Sequence, residues 1–277
     1  MTGARISYGK LAVPVQLVRG DRVLACDVSM EVLGQGFLPA YTEGDNRSIV
    51  ATDTMKNVIL RRAHEYEGST LEGLLDELGR AFLATYPEME GLRLWAAEQP
   101  FLPVTGRVWR RVDGDHAVAE LELVRRADGE VALVAHRAGR TGLRLLKTTG
   151  SAFTRFARDG DTTLPERVDR PLFLHLDVHW RYADPAAALD DGHVASADAL
   201  ALLLETHDAF VSESIQQLVH ELGQRMLDAW PQLSEVSFRA ENRTFDPVPG
   251  AEGADPLRRT YTSPFPAWGL ITLVLTR

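Results

Sequence analysis

The sequence holds a single cysteine, Cys26, among 277 residues, which excludes an intrachain disulfide and a cysteine-built zinc site. Within Val23-Leu24-Ala25-Cys26-Asp27-Val28 that thiol is expected to serve as a small hydrophobe in a strand. No apolar run reaches the ~18 residues that a membrane helix needs. Met1 to Arg5 lack the hydrophobic stretch of a secretory signal, and Leu275-Thr276-Arg277 is not a peroxisomal tripeptide, so the expected setting is cytoplasmic. Positive charge is also short. The 39 acidic against 30 basic residues leave a net charge of −9, which argues against nucleic acid or an anionic membrane as partner. A small anion stays open, because local basic residues decide that binding.

Cofactor signatures are absent too. No Gly-x-Gly-x-x-Gly follows a strand, no phosphate-binding loop ends in Gly-Lys-Ser/Thr, and no Gly-x-Ser-x-Gly marks a hydrolase nucleophile. His175 and His179 are four apart in a run of period two, too far apart along a strand for one metal ion. No metal and no cofactor are expected.

What is present is the composition of a globular protein, 45% hydrophobic and 25% charged. Leu11, Val13, Val15 and Leu17 alternate in a strand over 8–18, and a Gly20-Asp21 turn leads to an antiparallel partner over 23–33. Two helices follow, from about Thr54 to Tyr66 and from Leu71 to a stop at Tyr86-Pro87. Strand-like runs come next at 92–97, 105–112, 117–123 and 130–136, with hairpin turns at Asp113-Gly114 and Asp128-Gly129.

The order then repeats. The pattern predicts a strand over 141–147, a short amphipathic helix over 151–158 and a strand over 172–182. Helices over 195–207 and 212–229 follow, then a closing strand pair over 236–245 and 260–276. The stretch 246–256, rich in Pro, Gly and acids, reads as a loop. The whole is α+β: two successive units of antiparallel sheet plus helix pair, 1–139 and 140–277, with the boundary near Arg137–Thr141. Sheets covered by helices on one face leave edges that oligomerisation can bury.

Several ordered motifs carry the reading further. They are Tyr8-Gly9-Lys10, Tyr41-Thr42-x-x-Asp45-Asn46 and Val50-Ala51-Thr52-Asp53-Thr54-x-Lys56-Asn57. Then come Leu146-Lys147-x-Thr149-x-Ser151-x-Phe153 and Thr162-Thr163-Leu164-x-Glu166-x-x-Asp169-Arg170. Trp180-Arg181-Tyr182, Ser214-Ile215-Gln216 and the end from Gly269-Leu270-Ile271 complete the set. Together they resemble the urate oxidase (uricase) family over nearly the whole chain.

The resemblance implies tandem T-fold units, each an antiparallel sheet with a helix pair on one face. It also implies a tunnel-shaped homotetramer with sites at subunit interfaces. The implied activity is cofactor-independent oxidation of urate by dioxygen to 5-hydroxyisourate and hydrogen peroxide, in purine degradation. Phe153 would stack on the flat purine. Arg170 and Gln216 would read its two edges, and Ile215 would offer a backbone group. Thr52 and Asp53 would come from the neighbouring protomer. Asn242 would hold dioxygen or water, and Lys10 and Thr52 would relay protons.

Each residue has a plainer reading beside that one. Thr52 or Asp53 would cap a helix, Phe153 would be core, Arg170 would pair with Asp169 or Glu166, Gln216 would be an exposed helix former, and Asn242 would lie in a turn. One position departs from the family. Thr244 stands where uricases carry the relay histidine, and no histidine follows His220. A hydroxyl donates and accepts hydrogen bonds but does not hold a proton near neutral pH. The alternatives are therefore an oxidase of a related purine- or pteridine-like heterocycle, or a T-fold protein that binds a heterocycle without turning it over.

Overall fold

The computed structural model describes residues 5–243, 245–248, 259–262 and 267–277. The chain divides into two compact units, one running to Gly139 and including Arg181–His193, the other made of Arg140–Trp180 and the residues from Val194 on.

In the first unit, β1 (Ser7–Arg19) and β2 (Arg22–Leu33) form an antiparallel hairpin. The short helix α1 (Leu38–Thr42) follows, unannounced by any periodicity because it has only five residues. The helices α2 (Thr52–Glu65) and α3 (Leu71–Thr85) lead to β3 (Gly91–Glu98). The Thr70 hydroxyl caps α3 by accepting from Gly73 N–H, and Tyr86 ends it. β4 (Phe101–Pro103) and β5 (Trp109–Arg111) pair only with each other, so the strand expected over 105–112 shrinks to three residues outside the main sheet. β6 (His116–Arg125) and the start of β7 (Val131–Lys147) complete the order β1-β2-β3-β6-β7.

The helix pair covers one face. α2 lies on β1, and α3 lies on β3 and β6. Met30, Met55, Ile59, Leu74, Leu78, Phe82, Leu94 and Leu121 are all fully buried between these layers. Cys26, at 0% exposure in β2, is part of that core, as a small hydrophobe should be. The opposite face is charged. Arg93 there reaches Glu31 and Glu122, both at 3.1 Å.

β7 is one continuous strand where the sequence pattern suggested two, over 130–136 and 141–147. Gly139 and Gly142 keep their N–H groups and so do not end it. Gly142 takes a φ of +80° and donates to Asp177 Oδ1 at 2.8 Å.

The second unit continues the order as β7, β8 (Leu172–Tyr182), β9 (Leu233–Asn242) and β12 (Gly269–Thr276). The helices α4 (Ser196–Ala209) and α5 (Ile215–Ala229) precede β9, and α5 packs on β9 and β12. β10 (Asp246–Pro247) pairs with β11 (Tyr261–Thr262), and the rest of the loop read over 246–256 lies mostly outside the described residues.

The helix expected over 151–158 does not form. Gly150 and Arg155 take positive φ values, +77° and +58°, which a right-handed helix cannot accept. The N–H groups there are used sideways: Ala152 donates to Ser212 O, Phe153 to Arg167 O, and Arg155 to Glu166 Oε1. No helix of the described residues is long and apolar enough to cross a membrane.

Candidate active site

In the second unit three segments are tied backbone to backbone. Ser212 N–H donates to Gly150 O (3.1 Å) and Ser212 O accepts from Ala152 N–H (2.7 Å). Arg170 N–H donates to Ser151 O (2.8 Å), and Phe153 and Arg167 exchange a pair of bonds at 2.7 and 2.9 Å. Main-chain hydrogen bonds thereby link the segments that carry Phe153, Arg170 and the start of α5.

Phe153 is half-buried, not the core residue its apolar neighbours would suggest. Phe156 stacks on it with centroids 4.9 Å apart and planes 10° apart. The Arg170 guanidinium lies 5.6 Å from the Phe153 centroid. Arg170 is 9% exposed, and burial together with the charge of Arg167 lowers its pKa. A buried guanidinium beside another arginine is a site that gains from an anion, and its planar fork suits a planar edge carrying a carbonyl.

Its neighbour Asp169 does other work. Burial opposes its ionisation, yet the Thr149 hydroxyl and the Gly150 and Ser151 N–H groups, with Arg259, hold its carboxyl below the usual range. Thr149 Oγ1 and Gly150 N–H both donate to it at 2.8 Å. Asp169 thus secures the turn that leads into Phe153, a role its place beside Arg170 did not reveal. Glu166 likewise accepts from the Arg155 N–H.

Ile215 opens α5 and is 3% exposed, while Gln216 beside it is exposed at the helix N-terminus. Ser214 caps the helix, its hydroxyl accepting from Gln217 N–H at 3.1 Å. Asn242 is the last residue of β9, paired with Gly269, and not in a turn. By strand parity it follows Val236, Phe238 and Ala240, the buried face toward α5. Thr244, two residues on, lies outside the described residues. His175 and His179 alternate with buried Leu174, Leu176 and Val178, so they occupy the opposite face of the sheet from Asn242.

A cavity of about 210 Å³ in this unit is lined by Arg170 together with Arg167, Arg259, Phe245 and Tyr261. Of the candidate residues that are described, only Arg170 lines it. Among the described residues no group of three or more His, Cys, Asp or Glu could hold a metal ion.

In the first unit Lys10 sits in β1 opposite Met30, immediately before a register shift that ends at Val13. Ala12 takes a φ of +51° within that bulge, its N–H donating to Ser29 Oγ at 2.9 Å. The Tyr8 hydroxyl accepts from Val50 N–H at 3.0 Å and so pins the approach to α2 against β1.

Thr52 is the first residue of α2, but Ala51 is the cap position and no side chain caps the helix. The plain capping role of Thr52 or Asp53 is therefore corrected. Asp53 instead accepts from Lys56 Nζ at 2.5 Å and Asn57 Nδ2 at 3.2 Å. Its carboxyl is held below the usual range by Lys56 first, with Lys10 contributing, so Lys10 lies within electrostatic reach of the start of α2.

The family profile described as "Uricase" matches residues 12–126 and 136–264. A uricase of Haloferax volcanii is 40% identical over 263 residues, covering 86% of this chain and 85% of its own length. The uric acid degradation bifunctional protein of Bacillus subtilis is 35% identical over 277 residues, covering 94% of this chain and 55% of its own length. Among solved structures, urate oxidase from Bacillus sp. TB-90 superposes with a TM-score of 0.90 at 30% identity, covering 98% of this chain and 100% of that one.

Proposed function

The chain belongs to the uricase family and has its T-fold, and from that premise we propose that it oxidises urate with dioxygen and water to 5-hydroxyisourate and hydrogen peroxide, as a step of purine degradation. The observation that carries the reading to the site is the buried Arg170 guanidinium over the half-buried ring of Phe153. A flat anion with a carbonyl edge matches both.

In this reading Phe153 stacks on the purine, Arg170 forks onto one edge, and Gln216 with the Ile215 backbone reads the other. Asn242 holds dioxygen or water above the ring. Lys10 and Thr52 move the proton, with Asp53 beside them and the Thr244 hydroxyl in the histidine's place. Urate is electron-rich enough to reduce dioxygen itself. The protein therefore contributes binding, deprotonation and orientation, without a cofactor. The assembly is a homotetramer in the cytoplasm, in which Thr52 and Asp53 of one protomer complete the site of its neighbour. Purified, metal-free protein should consume urate and dioxygen and release hydrogen peroxide in equal amounts; no consumption at high protein concentration overturns the proposal.

Thr244 favours a second reading, an oxidase of a related purine- or pteridine-like heterocycle. Oxygen uptake over a panel of such compounds separates the two. If urate is the substrate, Thr244→His restores a proton carrier and should raise kcat by about tenfold or more. If kcat for urate does not rise while another heterocycle is turned over faster, the second reading replaces the first.

A further inference from the structure

Lys147 closes β7, and its ammonium donates to three backbone carbonyls at the end of α4: His207 O (2.7 Å), Asp208 O (3.1 Å) and Phe210 O (2.8 Å). Three donors meet three acceptors, so its hydrogen-bonding capacity is filled. The His207 and Asp208 carbonyls belong to the last turn of α4, where no intrahelical partner exists and the dipole favours a cation.

The geometry around that knot reaches both walls of the candidate site. From Lys147 the chain runs through Gly150 to Phe153, and from Phe210 it runs through Ser212 to Ile215 and Gln216. These two arms are bridged by the Ser212 bonds to Gly150 and Ala152. The lysine stem packs where Gly150 bends, since a Cβ on Gly150 would lie 3.3 Å from Lys147 Cε and 3.8 Å from Val211 Cγ2. The link between α4 and α5 is held as well at Ser212, which is 2% exposed and whose hydroxyl lies 3.4 Å from Ser151 Oγ, while Val211 beside it is 67% exposed.

We propose that Lys147 is a positioning residue for the substrate site: by fastening the end of α4 to the exit of β7, it sets the distance between the stacking wall at Phe153 and the edge-reading wall at Gln216. This rests on the reading of Phe153 and Gln216 as substrate-binding residues. A lysine that only capped α4 would contribute to stability and leave substrate affinity alone. A lysine that spaces the two walls governs KM, because a displacement of about 1 Å between groups gripping one rigid bicycle is costly.

The test compares urate oxidation kinetics and thermal melting of wild type, Lys147→Met, Lys147→Gln and Lys147→Arg. Lys147→Met should raise KM for urate on the order of 10- to 100-fold. Lys147→Arg, which keeps charge and donors, should recover most of that loss, and Lys147→Gln should fall between. A folded Lys147→Met or Lys147→Gln that melts earlier but keeps the wild-type KM overturns the proposal. If Lys147→Met does not fold, the Lys147→Gln comparison decides alone. Wild type failing to oxidise urate rejects the functional reading itself, and is thereby distinct from an unchanged KM.

Discussion

Burial sets the charge state of two histidines that the proposed reaction does not use. His136 is 3% exposed, with its ring 5.0 Å from that of Tyr182, and neither ring nitrogen has a hydrogen-bond partner among the described residues. Burial lowers its pKa to about 4, and burial with the Lys147 charge lowers His207 to about 4 as well. Above pH ~6.5 both rings are neutral in the folded and unfolded chains and contribute nothing to pH dependence. As pH falls from there, the unfolded chain takes up protons that the folded chain refuses, so stability drops until about pH 4, where the folded rings protonate too. Each ring should account for roughly 3 kcal/mol over that window. Urea midpoints measured from pH 7 to pH 4 should slope downward, and His136→Phe with His207→Leu should flatten the curve. A slope unchanged by the double variant would assign the loss to carboxylates instead. None of this was visible in the sequence, where a histidine in a strand or a helix carries no sign of whether its nitrogens find partners.

Elements place the candidate residues through features that periodicity only partly encodes. The β1–β2 hairpin was legible from alternation, and the start of α2 to within two residues from the change of period at Thr54. The bulge beside Lys10 was not, because a register shift is a property of two strands. Gly9 shows how tight that corner is: an added Cβ would collide with the Met30 carbonyl oxygen and lie 2.9 Å from Glu31 Cα, both backbone atoms that cannot step aside. Gly9→Ala should therefore cost about 1–3 kcal/mol and lower kcat by moving Lys10. Denaturant melts with steady-state kinetics would check both, and an alanine variant of wild-type stability and rate would refute the strain. The segment 151–158 teaches the opposite lesson. Its apolar spacing suited a helix, but two positive-φ residues and the sideways bonds to Ser212, Arg167 and Glu166 made it extended. Phe153 owes its place beside Phe156 and Arg170 to that outcome.

For the whole molecule, the proposed tetramer makes a prediction that no single protomer can satisfy. If Thr52 of one protomer serves the Arg170 site of another, Thr52→Ala and Arg170→Gln proteins should each be nearly inactive alone. Co-expressed, they should form mixed assemblies containing some sites with both native residues, and activity should return. Absence of recovery in mixed assemblies verified by differential tagging would place each site within one chain. Sedimentation at equilibrium checks the tetramer itself.

The sequence by itself determined the α+β class, most of the long strands and helices, and the likeness to uricases. Those depend on local alternation, on helix periodicity and on the order of motifs along one chain. Through that likeness it also marked Arg170, Phe153 and Gln216 as candidates, in roles that a planar cation, an aromatic ring and an amide can fill toward a flat, polar-edged ligand. Only the tertiary structure decided that Phe153 is extended and stacked on Phe156, that Arg170 is buried, and that Ala51 and not Thr52 occupies the cap of α2. It alone revealed that Asp169 and Lys147 hold the surrounding backbone. Burial, register and carbonyls left over at a helix end arise between segments distant in sequence, so no window of neighbouring residues contains them.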